Sequence, residues 1–376
     1  MSLGLYVHIP FCRSKCYYCD FCSMPDLSRR VDYLDALEKE VQLHAARYGR
    51  LMPETIFIGG GTPTLLEDQD WHRLSRLFER FFDLSSLSEW SVEGNPESVN
   101  LALSKTLKSI GVNRFSMGVQ SMDFSLLRAI GRIHSPEEVT TAFNALRQTG
   151  FDNINLDLMT GLPGQTLSAI DETLSWLKQF DPEHVSAYGL KIEEGTPFDR
   201  MERQGLLKLP EETLEREMDH RIREVLRERG YQHYEISNYA KPGRACRHNL
   251  NYWNCGSYAA IGLSAHGYLN GVRYENTSDL NRYIHDLSHE TLPVISEEAI
   301  SPQEDEKEWI MLRLRLSEGI PYSQYQARYG KSFLNEKKTA IEKLKGTGWI
   351  DLQKEHLRLT EAGLDFANAV IVEFFE

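Results

Sequence analysis

The stretch "YVHIPFCRSKCYYCDFC" (6–22) runs an apolar, β-like segment straight into a loop holding four of the chain's six cysteines. Residues 4–11, "GLYVHIPF", have the apolar density of a buried strand, and an amphipathic stretch near 28–49 follows the loop. The same alternation continues downstream. Further β-like runs are "ETIFIGG" (54–60), "WSVEGNP" (90–96), "RFSMGVQS" (114–121), "NINLDLMTG" (153–161) and "HVSAYGLKI" (184–192). Between them lie predicted helices near 69–82, 98–110, 135–149 and 166–180, which start at Ser, Asp or Pro and often end at Gly. Six strands separated by helices predict right-handed βαβ units and a parallel sheet, either open or curling toward a barrel. Polar residues gather where these strands end: Gly59–Thr62, Glu93 and Asn95, Gln120 and Ser121, and Asp157. That edge carries the ligand site in parallel α/β folds.

With 376 residues, the chain accommodates one large α/β domain and a smaller one. We divide it into a barrel at 1–235, a loop-rich connecting segment at 236–295 and a C-terminal domain at 296–376. From about 300 the pattern reads helix, helix, the hairpin-like "GWIDLQKEHLRLT" and a last apolar helix, which suggests a small winged-helix-like α+β module. The N-terminus has neither the basic start nor the apolar core of a signal peptide, and no apolar run is long enough to span a bilayer. The expected location is therefore the cytoplasm, where thiols stay reduced. A formal net charge of −13 without a basic block disfavours a nucleic-acid partner.

Cys12, Cys16 and Cys19 are spaced C-x3-C-x2-C. Structural zinc takes four ligands, usually two pairs from separate places, and no second pair of that form exists here. A [4Fe–4S] cubane takes four thiolates, so three leave one iron with an open position. Cys22 extends a competing C-x2-C-x2-C run from Cys16, so a set of Cys16, Cys19 and Cys22 stays open.

C-x3-C-x2-C with an aromatic before the third cysteine, after the first strand, resembles the radical S-adenosylmethionine (SAM) proteins. "YVHIPFC" (6–12), "GGGTPT" (59–64), "EGNP" (93–96), "FSMGVQS" (115–121), "IGRIH" (130–134) and "NLDLMTGLPGQT" (155–166) resemble, in order and spacing, the anaerobic coproporphyrinogen III oxidase group of that superfamily. The resemblance implies a partial (β/α)6 barrel. It also implies a [4Fe–4S] cluster on Cys12, Cys16 and Cys19, with SAM on the unique iron. Gly60, Gly61 and Thr62 would line the SAM amino end, Glu93 would take the ribose hydroxyls, and Gln120, Arg132 and Asp157 would line the rest. Tyr6 and Tyr18 would flank the cofactor as flat walls. On the residues alone, the alternative reading is a surface ion pair for Arg132 and core packing for Tyr18.

Within this group the chain resembles the heme chaperones of the HemW type more than the oxidases. Only five residues precede Tyr6, where the oxidases carry an N-terminal extension. "CDF" (19–21) stands where the oxidases have a fourth cysteine in C-x-C. "RHNLNYW" (247–253) contains the H-N-x-x-Y-W pattern linked to heme in HemW-type sequences. The resemblance implies heme binding through His248, Asn249, Tyr252 and Trp253. Imidazole is a common axial ligand, an amide can orient it, and the aromatics can cover a porphyrin. An isolated loop histidine would more often be bonded to backbone. Cys246 and Cys255 read as buried thiols, with ligand roles left open, and His266 in "IGLSAHG" reads as structural. The implied function is transfer of heme to an acceptor protein, a respiratory one among the candidates, with peripheral contact at the inner membrane. The alternative is an oxygen-independent coproporphyrinogen III oxidase. A homodimer is left open.

Overall fold

The computed structural model describes residues 3–375. Strands β1 (Leu3–Ile9), β2 (Thr55–Gly60), β3 (Glu89–Gly94), β4 (Arg114–Gln120), β5 (Ile154–Thr160) and β6 (His184–Gly189) lie side by side in chain order, all parallel. Each connection carries a helix, chiefly Arg30–Tyr48, Asp68–Phe81, Leu101–Ser109, Pro136–Gln148 and Leu167–Phe180. These match the predicted alternation to within a few residues. Their starts carry the expected caps. Asn100 and Thr166 accept N–H bonds from Leu103 and Ala169, and Ser135 forms a capping box with Glu138 ahead of a Pro at the first helical position. The apolar faces meet in one core in which Leu5, Val7, Ile9, Ile56, Ile58, Val92 and Phe115 are fully buried.

The six strands do not close on themselves. On one side β6 pairs antiparallel with β8 (Asn238–Ala240), which pairs with β7 (Gln232–Glu235). Residues 232–240 thus form a hairpin. On the other side β1 pairs in parallel with β9 (Ser257–Ile261), followed by antiparallel β10 (His266–Leu269), β11 (Val272–Asn276) and β12 (Val294–Ala299). The sheet has twelve strands and is a partial barrel with an extended edge.

The stretch 241–276, within the segment read as loop-rich, is largely regular. It holds the helix Arg247–Trp253 and three of these edge strands. They are short, and β9 finds its partner some 250 positions away on β1 (Gly4 opposite Tyr258), so no local pattern announces them. The helices Pro197–Arg203 and Glu212–Glu228 follow β6 and were not anticipated.

Helix Pro302–Leu314 leads to β13 (Ile320–Pro321), helices Tyr322–Tyr329, Phe333–Glu336 and Lys338–Leu344 follow, and β14 (Ile350–Leu352) and β15 (His356–Leu359) then complete a small sheet with β13. Two short helices, Glu361–Asp365 and Ala367–Glu373, follow. This is the expected winged-helix-like arrangement. It has its own core around Trp309, Leu314, Phe333, Leu357 and Phe374. Buried Arg313 ties it to the rest by donating to Asn254 at 2.5 Å, and Arg223 reaches Asp365 at 2.6 Å.

Candidate functional site

The cysteine loop leaves β1 and is closed at its base. Cys12 N donates to Met24 O at 3.0 Å, and Met24 N donates to Pro10 O at 2.7 Å. Its tip is pinned by Tyr17 N to Ile130 O and by Phe198 N to Tyr17 O, each 3.0 Å. The loop is thereby held over the C-terminal ends of the strands. Beneath it lies a cavity of about 760 Å³ onto which Cys12, Cys16 and Cys19 all open. Gly60, Gly61, Thr62, Glu93, Gln120, Arg132, Asp157 and Tyr18 line the same cavity. Cys22 does not. It faces a second cleft, and its Sγ lies 3.7 Å from Ser278 O.

Among the described residues no three His, Cys, Asp or Glu side chains come close enough to hold a single metal ion. A cubane ties each thiolate to a different iron, so its donors face one cavity without meeting at a point. Three thiols on one wall, with no fourth, fit that group and not a zinc ion. Burial pushes the Cys19 thiol up to about 11 and raises Cys12, against hydrogen bonds from Thr62 and Ser23. The metal-free Cys12 and Cys19 thiols are therefore protonated at neutral pH, and iron binding must displace those protons.

The glycine run is required by its neighbours as much as by a ligand. A Cβ on Gly59 would lie 2.5 Å from Glu93 Oε2, and one on Gly61 would lie 2.6 Å from Phe11 O. Gly60 has φ +104°, a left-handed backbone that disfavours any side chain. Its N–H donates to Glu93 Oε2 at 3.2 Å.

Arg132 is not a surface ion pair. Its guanidinium is buried, donates to Asn95 Oδ1 at 2.8 Å and to Gly118 O, and sets Nη1 3.8 Å from Cys16 Sγ. Gly118 permits this, because a Cβ there would collide with Arg132 Nη2. Asn95, named above only as a strand-end residue, joins both halves of the site: its Nδ2 also donates to Thr62 Oγ1 at 3.1 Å, and Thr62 Oγ1 in turn lies 3.5 Å from Cys12 Sγ. Gln120 sits at a bulge between β4 and β5 with φ +67° and accepts from Tyr188 OH at 3.3 Å. Tyr188 and Lys191 also line the cavity and had no sequence signal.

Two buried carboxylates share this space. Burial, aided by the charge of Asp157, pushes Glu93 up to about 7. Burial also raises Asp157, against hydrogen bonds from Ser186, Asn155 and Ser116.

Tyr6 does not line the cysteine cavity, but it meets Gly60, Glu93 and Asp157 in the cavity behind them. It lines the second cleft and a small inner cavity of about 260 Å³, stacks on Phe57 and bonds His8 Nδ1 at 3.1 Å. His248, Asn249 and Tyr252 also line the inner cavity, which is below the roughly 300 Å³ at which ligand pockets begin. His248 is buried with both ring nitrogens engaged, Nδ1 with Thr55 Oγ1 and Nε2 with Tyr252 OH, each at 2.8 Å. Its ring stacks on Phe57 at 5.2 Å, and burial lowers its pKa to about 3. Trp253 lies under Arg315, whose guanidinium is 5.2 Å from the ring centre. The motif residues are thus spread over a packed helix, with no nitrogen of His248 free in this arrangement.

Comparison with known proteins agrees with this architecture. Residues 6–177 match the Radical SAM superfamily, and 300–366 match the HemN C-terminal domain. A heme chaperone HemW of Bacillus subtilis (strain 168) is 38% identical over 371 residues, covering 98% of each chain. Another from Haemophilus influenzae is 34% identical over 99% of this chain and 97% of its own. Among solved structures, the coproporphyrinogen III oxidase HemN of Escherichia coli superposes with a TM-score of 0.87 over 99% of this chain and 90% of its own, at 24% identity. That likeness establishes the shared fold. With relatives this similar over nearly its whole length, the chain belongs to the HemW family of the radical SAM superfamily.

Proposed function

We propose that this protein is a heme chaperone that holds a [4Fe–4S] cluster on Cys12, Cys16 and Cys19, binds SAM beside it and passes heme to an acceptor protein. The observation that carries the reading is the near full-length similarity to HemW heme chaperones, joined to three thiols opening on one cavity. When bound, the cluster supplies an iron with an open coordination position that SAM can occupy, and an electron. The chain's own part is positioning. Gly60, Gly61 and Thr62 offer a close backbone edge, Glu93 offers a hydrogen-bond acceptor for ribose hydroxyls, and Gln120 and Asp157 border the remaining space. Arg132, fixed by Asn95 and Gly118, places a cation beside the Cys16 sulfur. Delivery to a respiratory acceptor at the inner face of the membrane belongs to the same reading. No described helix is long and apolar enough to cross a membrane, so such contact would be peripheral.

The test is anaerobic reconstitution with iron and sulfide, then heme titration and incubation with an apo heme protein. The reading expects stoichiometric heme uptake, transfer to the acceptor and no decarboxylation of coproporphyrinogen III under reducing conditions with SAM. Robust protoporphyrinogen formation would overturn it in favour of the oxidase.

A further inference from the structure

The cleft that takes up Cys22 is about 740 Å³, nearly as large as the cysteine cavity, and of the residues assigned above to cluster or SAM only Tyr6 lines it. It lies between the edge strands β9–β11 and helix Pro302–Leu314 of the C-terminal domain, with Asp20 and Phe21 as a wall shared by both cavities. Its surface is aromatic and soft: Phe21, Tyr258 and Tyr268 present rings, and Met311 and Cys255 present sulfur. Two of the chain's non-glycine left-handed residues, Cys255 (φ +53°) and Ser264 (φ +56°), border it. Such strain persists only where the surroundings enforce it.

Three histidines line the cavities described, and their nitrogens separate them. His8 is buried, with Nδ1 bonded to Tyr6 OH at 3.1 Å and Nε2 to Cys22 O at 2.8 Å. His248 is buried and engaged at both nitrogens. His266 is the exception. Its side chain is 54% exposed, its Nε2 lies 3.8 Å from Glu275 Oε1 across the β10–β11 pair, and its Nδ1 has no hydrogen-bond partner among the described residues. A carboxylate behind an accessible imidazole is the usual support of a metal-ligating histidine.

We propose that heme is carried in this second cleft, with His266 as an axial ligand, and that the helix Arg247–Trp253 shapes the cleft through Tyr252 without ligating iron. The inference rests on the heme-carrier reading and assigns that reading a site. A flat apolar macrocycle fits an aromatic-lined cleft of this volume, and the 260 Å³ inner cavity behind His248 does not accommodate it. Asp305 and Glu308 line the C-terminal-domain side, where carboxylates would repel heme propionates, and Arg273, paired with Glu308 at 2.7 Å, lines the facing strands. A cargo held at an exposed edge can also leave without unfolding the carrier.

The experiment is heme titration of the reconstituted full chain by absorbance and electron paramagnetic resonance, comparing wild type, His266→Ala, His248→Gln and Met311→Trp. We expect His266→Ala to lose the imidazole-ligand spectrum and weaken binding by about tenfold or more, with added imidazole restoring the spectrum. His248→Gln should keep the wild-type spectrum, and Met311→Trp, which fills the cleft, should reduce occupancy. Circular dichroism and cluster absorbance like wild type would show that the variants are folded. An unchanged spectrum and affinity in His266→Ala, or loss of the ligand signal in His248→Gln alone, would overturn the assignment while leaving the carrier reading intact. A wild-type protein that takes up no heme would overturn both.

Discussion

Cys12, Cys16 and Cys19 open on one cavity, and Cys22, three residues further on, opens on another. The spacing alone allowed either triplet; the turn of the chain through Asp20 and Phe21 separates them. Cys12→Ala is expected to abolish the iron–sulfur absorbance after reconstitution, whereas Cys22→Ala retains it. A cluster surviving in Cys12→Ala would remove the proposed ligand set. Glu93 offers a second test. Its ordinary pKa near 4.5 rises to about 7 in the fold, so the folded state binds the proton more tightly than the unfolded one. That contribution to stability is full below about pH 4.5 and is lost as pH rises through about 7. Above it, the buried carboxylate costs on the order of 3 kcal/mol. Glu93→Gln should therefore be more stable than wild type at about pH 8 and no more stable at about pH 4, as thermal melts would show. SAM affinity should rise with pH in wild type and lose that dependence in the variant. Most residues at this scale were legible because motif residues at the ends of parallel strands converge on one edge. Strand alternation sets Tyr6 on the face opposite Leu5, Val7 and Ile9, where it borders the inner cavity with Gly60, Glu93 and Asp157 and not the cysteine cavity itself. Asn95 was visible in "EGNP", but its bridge from Thr62 to Arg132 is a tertiary fact.

At the scale of elements, the helix Arg247–Trp253 shows how a motif visible in sequence can be placed unexpectedly in space. It begins against Glu89 at the start of β3, which accepts from the backbone N–H of Arg247 at 3.0 Å and of His248 at 3.1 Å. A buried carboxylate at a helix N-terminus satisfies donors that would otherwise be orphaned. Glu89→Ala should cost about 2 kcal/mol in denaturant unfolding, with loss of the His248–Thr55 contact visible as altered imidazole resonances. A loss below a few tenths of a kcal/mol would deny the cap its role. His248 itself is held neutral: its pKa falls from 6.5 to about 3, so the unfolded chain binds the proton first and stability drops as pH falls between those values. A buried, doubly bonded histidine and an exposed ligand histidine look alike in a sequence. What distinguishes them here is contact with Thr55 and Phe57 on β2, nearly 200 positions upstream.

On the scale of the whole molecule, the parallel order β1–β6 follows from local alternation and handedness, and it was legible. The extended edge was not. β9 to β12 are held by partners remote in sequence, and their glycines and aromatics mimic loops. The C-terminal domain was recognisable as helices and a hairpin, yet where it docks depends on contacts such as Arg313–Asn254 and Arg223–Asp365. That docking gives it two jobs. Helix Pro302–Leu314 walls the second cleft through Asp305, Glu308, Met311 and Leu312. The segment Leu364–Ala369, at the other end of the same domain, walls the cysteine cavity.

One small body thus closes two rooms. A guest that presses this domain home in one room does so in the other, and thermodynamics makes the favour mutual: the factor by which SAM tightens heme must equal the factor by which heme tightens SAM. Measuring both affinities with and without the other guest tests this, and removing the Arg223–Asp365 ion pair that ties the domain down, with Arg223→Ala, should shrink both factors together. Two unequal factors would mean that the measured states are not at equilibrium, and two factors of one would mean that the domain stands still.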